Sequence, residues 1–158
     1  MKRDIGAIAA VCLALWALPA SAEISIEAVD ACIAKAAEDG TNPNLCVDQA
    51  HTDCGTIAED MHTVATLCFT EAQGVWGNAI AAKLAEVQAK TDENIGAVAA
   101  IETKYDVLSA LVQCDRMEEL SRLTQSTADL VQRQKAGCQS TSSGLAYVRL
   151  VWRARSLK

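Results

Sequence analysis

The chain has 158 residues and a formal net charge of −6, and its hydrophobic fraction of 51% is that of a folded rather than a disordered protein. The acidic balance argues against binding to nucleic acid, which requires a basic face, and is compatible with a cationic partner or simply with solubility. The length suits one domain with a modest core.

The N-terminus has the layout of a secretory signal peptide. Lys2 and Arg3 make it positive, and an apolar run follows from residue 5 to residue 18. This run is shorter than the roughly 20 residues that a membrane-spanning helix needs. Small residues at positions 20–22 form a signal-peptidase motif, so we predict residues 1–22 as signal peptide, with cleavage after Ala22. An uncleaved membrane anchor and a lipoprotein acylated at Cys12 are the alternatives.

Cleavage removes Cys12 and a net charge of +1, which leaves a mature chain, residues 23–158, with a charge of −7 and six cysteines. In an oxidising compartment six cysteines imply up to three disulfides, in any of fifteen connectivities. A zinc site is the other use for thiols, but no CxxC or HxxxH spacing occurs, so we predict neither a metal nor a cofactor. The six cysteines are Cys32, Cys46, Cys54, Cys68, Cys114 and Cys138.

The first mature element is a helix from Ile24 to Glu38, predicted from apolar residues spaced three to four apart. Gly, Pro and Asn residues at positions 39–44 predict a turn at its end. Residues 45–50 fit one or two further helical turns, and residues 52–56 are predicted to interrupt them.

Two long helices follow, one over residues 57–89 and one over 95–123, with Thr91 or Asp92 as the cap of the second. In the first helix Trp76 is interpreted as a core residue, near two glycines that permit close packing. In the second helix the periodic apolar residues are predicted to face the core: Val98, Ile101, Tyr105, Leu108, Leu111, Val112 and Leu120.

A third helix is predicted to begin at Thr124 or Ser126 and to end near Gly137. The polar residues 138–144 are interpreted as a loop, and the element after them fits either a helix or a strand. Because no pair of strands or repeat is apparent, we predict an all-α fold. Its architecture would be a disulfide-stapled helical hairpin or small helix bundle, with the cysteine-rich N-terminal part over one end.

The disulfide pairing is predicted from the order of the elements. Cys114 and Cys138 lie on successive helices on either side of a bend near Thr124, so we pair them. Proximity in the chain favours two further pairs. These are Cys32 with Cys46, and Cys54 with Cys68.

The N-terminal half resembles the LprI-like lysozyme inhibitors. The resemblance rests on Cys32, on the motif Cys46-Val-Asp-Gln-Ala-His-Thr-Asp-Cys54, and on Cys68 followed by Glu71 and Trp76. It covers residues 32–76 well and the rest loosely. After the tryptophan the family usually continues Asp-x-x-Leu-Asn-x-x-Tyr, whereas this chain has Gly77, Ile80, Ala81 and Leu84 in those places. The resemblance implies an exported protein that binds and blocks a lysozyme.

The polar residues between Cys46 and Cys68 are the candidate partner-binding site, because an acidic surface would attract a basic lysozyme-type muramidase or another cationic protein. No nucleophile and base stand in a catalytic pattern, so we predict no enzymatic activity. The alternative function is a structural or interaction protein of the periplasmic envelope that keeps the fold without inhibition. The candidate residues are Asp48, His51, Asp53, Glu59, Asp60 and His62.

Overall fold

The computed structural model describes residues 24–124 and 126–157, so the predicted signal peptide and Cys12 lie outside the described residues. The fold is all-α, as the sequence predicts, and the described residues form six helices and no strand. The helices are α1 (Ile26–Asp39), α2 (Leu45–Ala50), α3 (Thr52–Gly55), α4 (His62–Lys90), α5 (Glu93–Leu123) and α6 (Ala128–Ala154).

Local capping residues set several helix ends. The side chains of Ser25, Asp92 and Thr127 each accept a hydrogen bond from the backbone N–H three residues later, at the starts of α1, α5 and α6. Gly40 ends α1 in the left-handed conformation, with φ of 66°. Asp92 is thus one of the two predicted caps, whereas α6 begins later than predicted, after Thr127.

The three long helices pack together as a small bundle rather than as a two-helix hairpin. A two-residue connection, Thr91-Asp92, turns the chain from α4 into the antiparallel α5. Helix α6 then runs back along α5 and parallel to α4, and its contact with α4 is the most extensive among the six described helices. The short helices α1 and α2 pack against α6, and α3 packs against α4.

Three disulfides join cysteines of the described residues, and their pairing is the predicted one. Cys32–Cys46 links α1 to α2, Cys54–Cys68 links α3 to α4, and Cys114–Cys138 links α5 to α6. Disulfides persist in oxidising compartments, so these bonds indicate an extracytoplasmic environment. Among the described helices, none is both long and apolar enough to cross a membrane.

The predicted loop at residues 138–144 is wrong, because this segment lies in the middle of the continuous helix α6. Its small polar residues allow close packing rather than a turn: Ser140 is fully buried and Gly144 faces the core. A Cβ atom on Gly144 would lie 2.8 Å from Val47 Cγ1 and 3.0 Å from the Trp76 ring. The element after residue 144, predicted as a helix or a strand, is helical.

The predicted orientation of α5 is also wrong for most of its apolar residues. Its buried residues are Gly96, Thr103 and Cys114, which lie on the side opposite to the large apolar residues. The small residues let α5 approach α4 and α6 closely, while the large ones face solvent. We call these large residues the outer face of α5: Val98, Ile101, Tyr105, Leu108 and Val112, with exposed fractions of 54, 55, 65, 46 and 49%. Leu120 is 62% exposed, whereas Leu111 is half-buried.

Candidate functional site

The candidate segment between Cys46 and Cys68 is fixed at both ends by disulfides. Cys46 is bonded to α1 and Cys68 to α3, so the short helices α2 and α3 are held against the rest of the molecule. The residues between α3 and α4, predicted as the start of a long helix, form a connecting loop, and α4 begins only at His62.

Arg133 of α6 holds this loop through its backbone. Its Nη1 atom donates hydrogen bonds to the carbonyl oxygens of Ala58 and Glu59, at 2.8 and 3.1 Å, and its Nη2 atom donates to that of Ile57, at 2.9 Å. Three bonds from one planar guanidinium fix the loop and occupy carbonyls that a helix would otherwise use. Sequence reasoning missed Arg133, because it lies 74–76 residues away along the chain.

Four of the candidate residues are exposed carboxylates: Asp48, Asp53, Glu59 and Asp60. None of them forms an ion pair with another residue of the described part of the chain. Their charges therefore remain available to a cationic partner at no cost of breaking an internal pair.

The candidate residues do not form one contiguous cluster, because they line different grooves of the surface. Glu59, Asp60 and His62 line one groove of about 640 Å³ together with Arg133 of α6. Asp53 lines a different groove, next to α1 and the Cys32–Cys46 disulfide. The ring of His62 is half-buried, and its Nδ1 atom is buried without a hydrogen-bond partner among the described residues.

His51 lies in the core rather than on the candidate surface, because it is only 7% exposed. Trp76 donates a hydrogen bond from Nε1 to His51 Nε2 at 3.0 Å, and the hydroxyl of Ser140 lies 2.9 Å from the same nitrogen. The rings of Phe69 and Trp76 meet the imidazole edge to face, with centroids 5.6 and 5.9 Å away. His51 thus joins α2 to α4 and α6.

Burial favours the neutral form of His51. Desolvation lowers the pKa of His51 below its ordinary value, and the nearby charge of Asp48 raises it only in part. Because Nε2 accepts the Trp76 N–H, the neutral ring carries its proton on Nδ1. His51 positions α2, which carries Asp48, and does not itself contact a partner in this conformation.

The C-terminal end of α6 is basic, but its charges are largely satisfied within the molecule. Arg153 Nη1 lies 2.9 Å from a carboxylate oxygen of Glu102, and both Arg149 and Arg153 lie 3.6 Å from Asp106. The guanidinium of Arg155 lies 5.3 Å from the Trp152 ring centroid, in a cation–π geometry. This end therefore presents less free positive charge than the sequence suggests.

An apolar groove of about 330 Å³ lies beside these pairs, between the N-terminal half of α5 and the end of α6. Its apolar walls include Ile95, Val98, Leu150 and Leu157. Val98 also belongs to the outer face of α5, so the groove continues that surface.

Comparisons of the chain with models of protein families, with curated proteins and with solved structures find no match. The candidate surfaces are therefore assigned from the geometry and chemistry of their own residues.

Proposed function

We propose that this protein is an exported, non-enzymatic binding protein of the periplasm or the secreted space. Its acidic segment between Cys46 and Cys68 would bind and block a cationic protein, of which a lysozyme-type muramidase is the foremost candidate. The observation that carries this proposal is a segment, fixed by two disulfides and by Arg133, with four exposed carboxylates that form no ion pair within the described part of the chain.

Two physical effects support binding through this segment. Free carboxylates attract a basic partner over a distance and raise the rate of encounter. A segment that is already ordered loses little conformational entropy when it binds, so more of the contact energy appears as affinity. The resemblance of residues 32–76 to LprI-like inhibitors supports a lysozyme as the partner.

The test uses the disulfide-bonded mature chain and a muramidase assay. We expect inhibition at micromolar protein. Replacement of the four carboxylates by amides (Asp48→Asn, Asp53→Asn, Glu59→Gln and Asp60→Asn) should weaken it about tenfold or more, mainly through slower association. Full muramidase activity at micromolar protein would contradict the proposal.

A matched control changes the net charge equally at exposed, unpaired carboxylates elsewhere: Glu38→Gln, Glu93→Gln, Glu119→Gln and Asp129→Asn. If inhibition depends on the candidate segment, this variant should lose clearly less affinity than the first. Equal losses would mean that only the overall charge matters, which would contradict a site between Cys46 and Cys68.

The second candidate function is an interaction protein of the cell envelope without inhibitory activity. The departure from the polar pattern of the LprI-like inhibitors after Trp76 favours it: Gly77 stands at an exposed position where that pattern has Asp, and it offers no side chain to a partner. Co-sedimentation of the mature chain with purified peptidoglycan, in the absence of muramidase inhibition, would support this function over the first.

A further inference from the structure

The outer face of α5 has the properties of a helix-binding surface. A helix on the surface of a globular protein normally turns its large apolar residues inward, whereas α5 turns small residues inward and exposes most of the large ones, with Val107 and Leu111 half-buried. Contiguous exposed apolar surface of this kind usually marks an interaction site. This surface lies on a different helix from the acidic segment of the proposed function.

The spacing of the exposed residues indicates that the partner is another helix. From Val98 the large apolar residues recur after three, four, three and four positions, ending at Val112. This is the heptad pattern of a two-helix seam. At 1.5 Å per residue the seam is about 21 Å long.

Charge is balanced along the outer face although the chain as a whole is acidic. The charged residues between positions 98 and 112 are Glu102, Lys104 and Asp106. Glu102 and Asp106 are paired with arginines of α6, and Lys104 is exposed. Two acidic copies of the chain therefore repel each other little at this surface.

We propose that the outer face of α5 is a self-association surface, on which a second copy of the chain docks through its own α5 in antiparallel orientation. Around a two-fold axis, Tyr105 would lie opposite the partner's Leu108, and Ile101 opposite the partner's Val112. Each copy then covers Ile101, Tyr105, Leu108 and Val112 of the other with the same four residues, as a two-fold interface requires. Val98 lies at the end of the seam, opposite the partner's Asp115.

The charged residues beside the apolar seam, Glu102 and Lys104, favour this register over one shifted by a heptad. In the proposed register Glu102 faces the partner's Ser109, and Lys104 faces the partner's Leu111. A shift that placed Tyr105 opposite the partner's Ile101 would bring the two copies of Glu102 together and the two copies of Lys104 together. Like charges at these flanking positions disfavour a pairing, so the shifted register is the less stable.

The interface is small for a permanent dimer. One helical seam of this length falls at the low end of the areas found in stable interfaces, which bury roughly 800 Å² per partner. We therefore expect a dimer with a dissociation constant on the order of micromolar rather than an obligate one.

Sedimentation velocity of the disulfide-bonded mature chain, over about 1 to 300 μM, tests the proposal. We expect a concentration-dependent shift from monomer to dimer. Leu108→Glu should weaken dimerisation at least about tenfold and leave the monomer folded, because Leu108 is 46% exposed. Leu67→Glu on α4, where the leucine is 59% exposed, is the matched control and should dimerise like the unmodified chain.

Substitutions at Ser109 test the orientation. Ser109→Lys should tighten the dimer, because the new cation faces the partner's Glu102, and Ser109→Glu should weaken it. A monomer at every concentration would overturn the proposal, as would a dimer insensitive to Leu108→Glu. Phospholipid vesicles that bind a monomeric chain, and bind Leu108→Glu poorly, would assign the face to a lipid surface instead. Muramidase inhibition should be unaffected by Leu108→Glu, so this proposal and the proposed function fail separately.

Discussion

Helices α5 and α6 are similar in length and run side by side, yet they use their apolar residues in opposite ways. In α6 the large residues Tyr147, Val148 and Leu150 are buried. In α5 the residues of comparable size face solvent, and small residues make the contact with the bundle. The large residues of α6 therefore contribute to stability, whereas those of α5 are available for a partner.

The core beside α6 should show the largest effect. Trp76 is fully buried against α6 and donates its N–H to His51, so Trp76→Ala should lower the free energy of unfolding by about 3–5 kcal/mol. The matched change on α5, Tyr105→Ala, removes a residue that is 65% exposed and should cost within about 0.5 kcal/mol. Urea denaturation of the disulfide-bonded monomer at low concentration measures both. A cost above about 2 kcal/mol for Tyr105→Ala would show that the outer face packs within one chain.

The disulfide between the two helices should come next. Because small residues bury little apolar area, we expect the Cys114–Cys138 bond to contribute more to the attachment of α5 than the exposed ion pairs between α5 and α6 do. The double change Cys114→Ser and Cys138→Ser should cost about 3 kcal/mol, and amide hydrogen exchange should accelerate mainly in α5. Cys32→Ser with Cys46→Ser is the control, and it should instead accelerate exchange in α1 and α2. Unchanged protection of α5 in the first variant would contradict this expectation.

Glycine substitutions should have smaller effects of opposite sign. Gly144→Ala places a methyl group 2.8 Å from Val47 Cγ1, so overpacking should destabilise the fold by about 1–3 kcal/mol despite the gain in helix propensity. Gly74→Ala on α4 meets nothing within 4 Å and should stabilise by about 0.5–1 kcal/mol. Thermal denaturation compares the two variants. A stabilising Gly144→Ala would mean that α6 does not approach α2 and α4 as closely as described.

The pH dependence of stability should be the most gradual effect. Burial lowers the pKa of His51 below its ordinary value of 6.5, so the unfolded chain takes up a proton at a higher pH than the folded chain. The stability that depends on the neutral ring is fully present above about pH 6.5 and decreases as the pH falls below it. Urea midpoints between pH 7.5 and 5 measure this decrease. His51→Gln should flatten the dependence, and an unchanged slope would assign it to other groups.

Much of the fold could be predicted from local signals. The cap at Asp92, the turn at residues 39–44 and the three disulfide pairs follow from residue type and chain order. The helical state of residues 138–144 could not be predicted, because serine and glycine favour turns unless tertiary packing needs small side chains. Gly144 meets that need because Val47 and Trp76 lie against it, and Ser140 meets it because it is buried beside His51.

The candidate site was less predictable than the fold. The spacing of apolar residues shows that they share one side of α5. It does not show whether that side packs against the bundle or faces solvent, because this depends on where the other helices lie. The position of His51 in the chain suggests that it belongs with the acidic residues, whereas the structure turns it toward Trp76. Arg133 carried no local signal, because its partners are backbone carbonyls, which are present at every residue.

The hydrogen bonds from Arg133 to the loop between α3 and α4 affect which substitutions the loop tolerates. The three hydrogen bonds go to main-chain oxygens at positions 57–59, so these bonds do not depend on which side chains stand there. Substitutions at the exposed residues Ala58 and Glu59 can therefore change charge and bulk while these hydrogen bonds remain. The side chains presented to a partner at this loop can thus be exchanged without changes in the core. Evolution or engineering could use such exchanges to change which partner the loop binds.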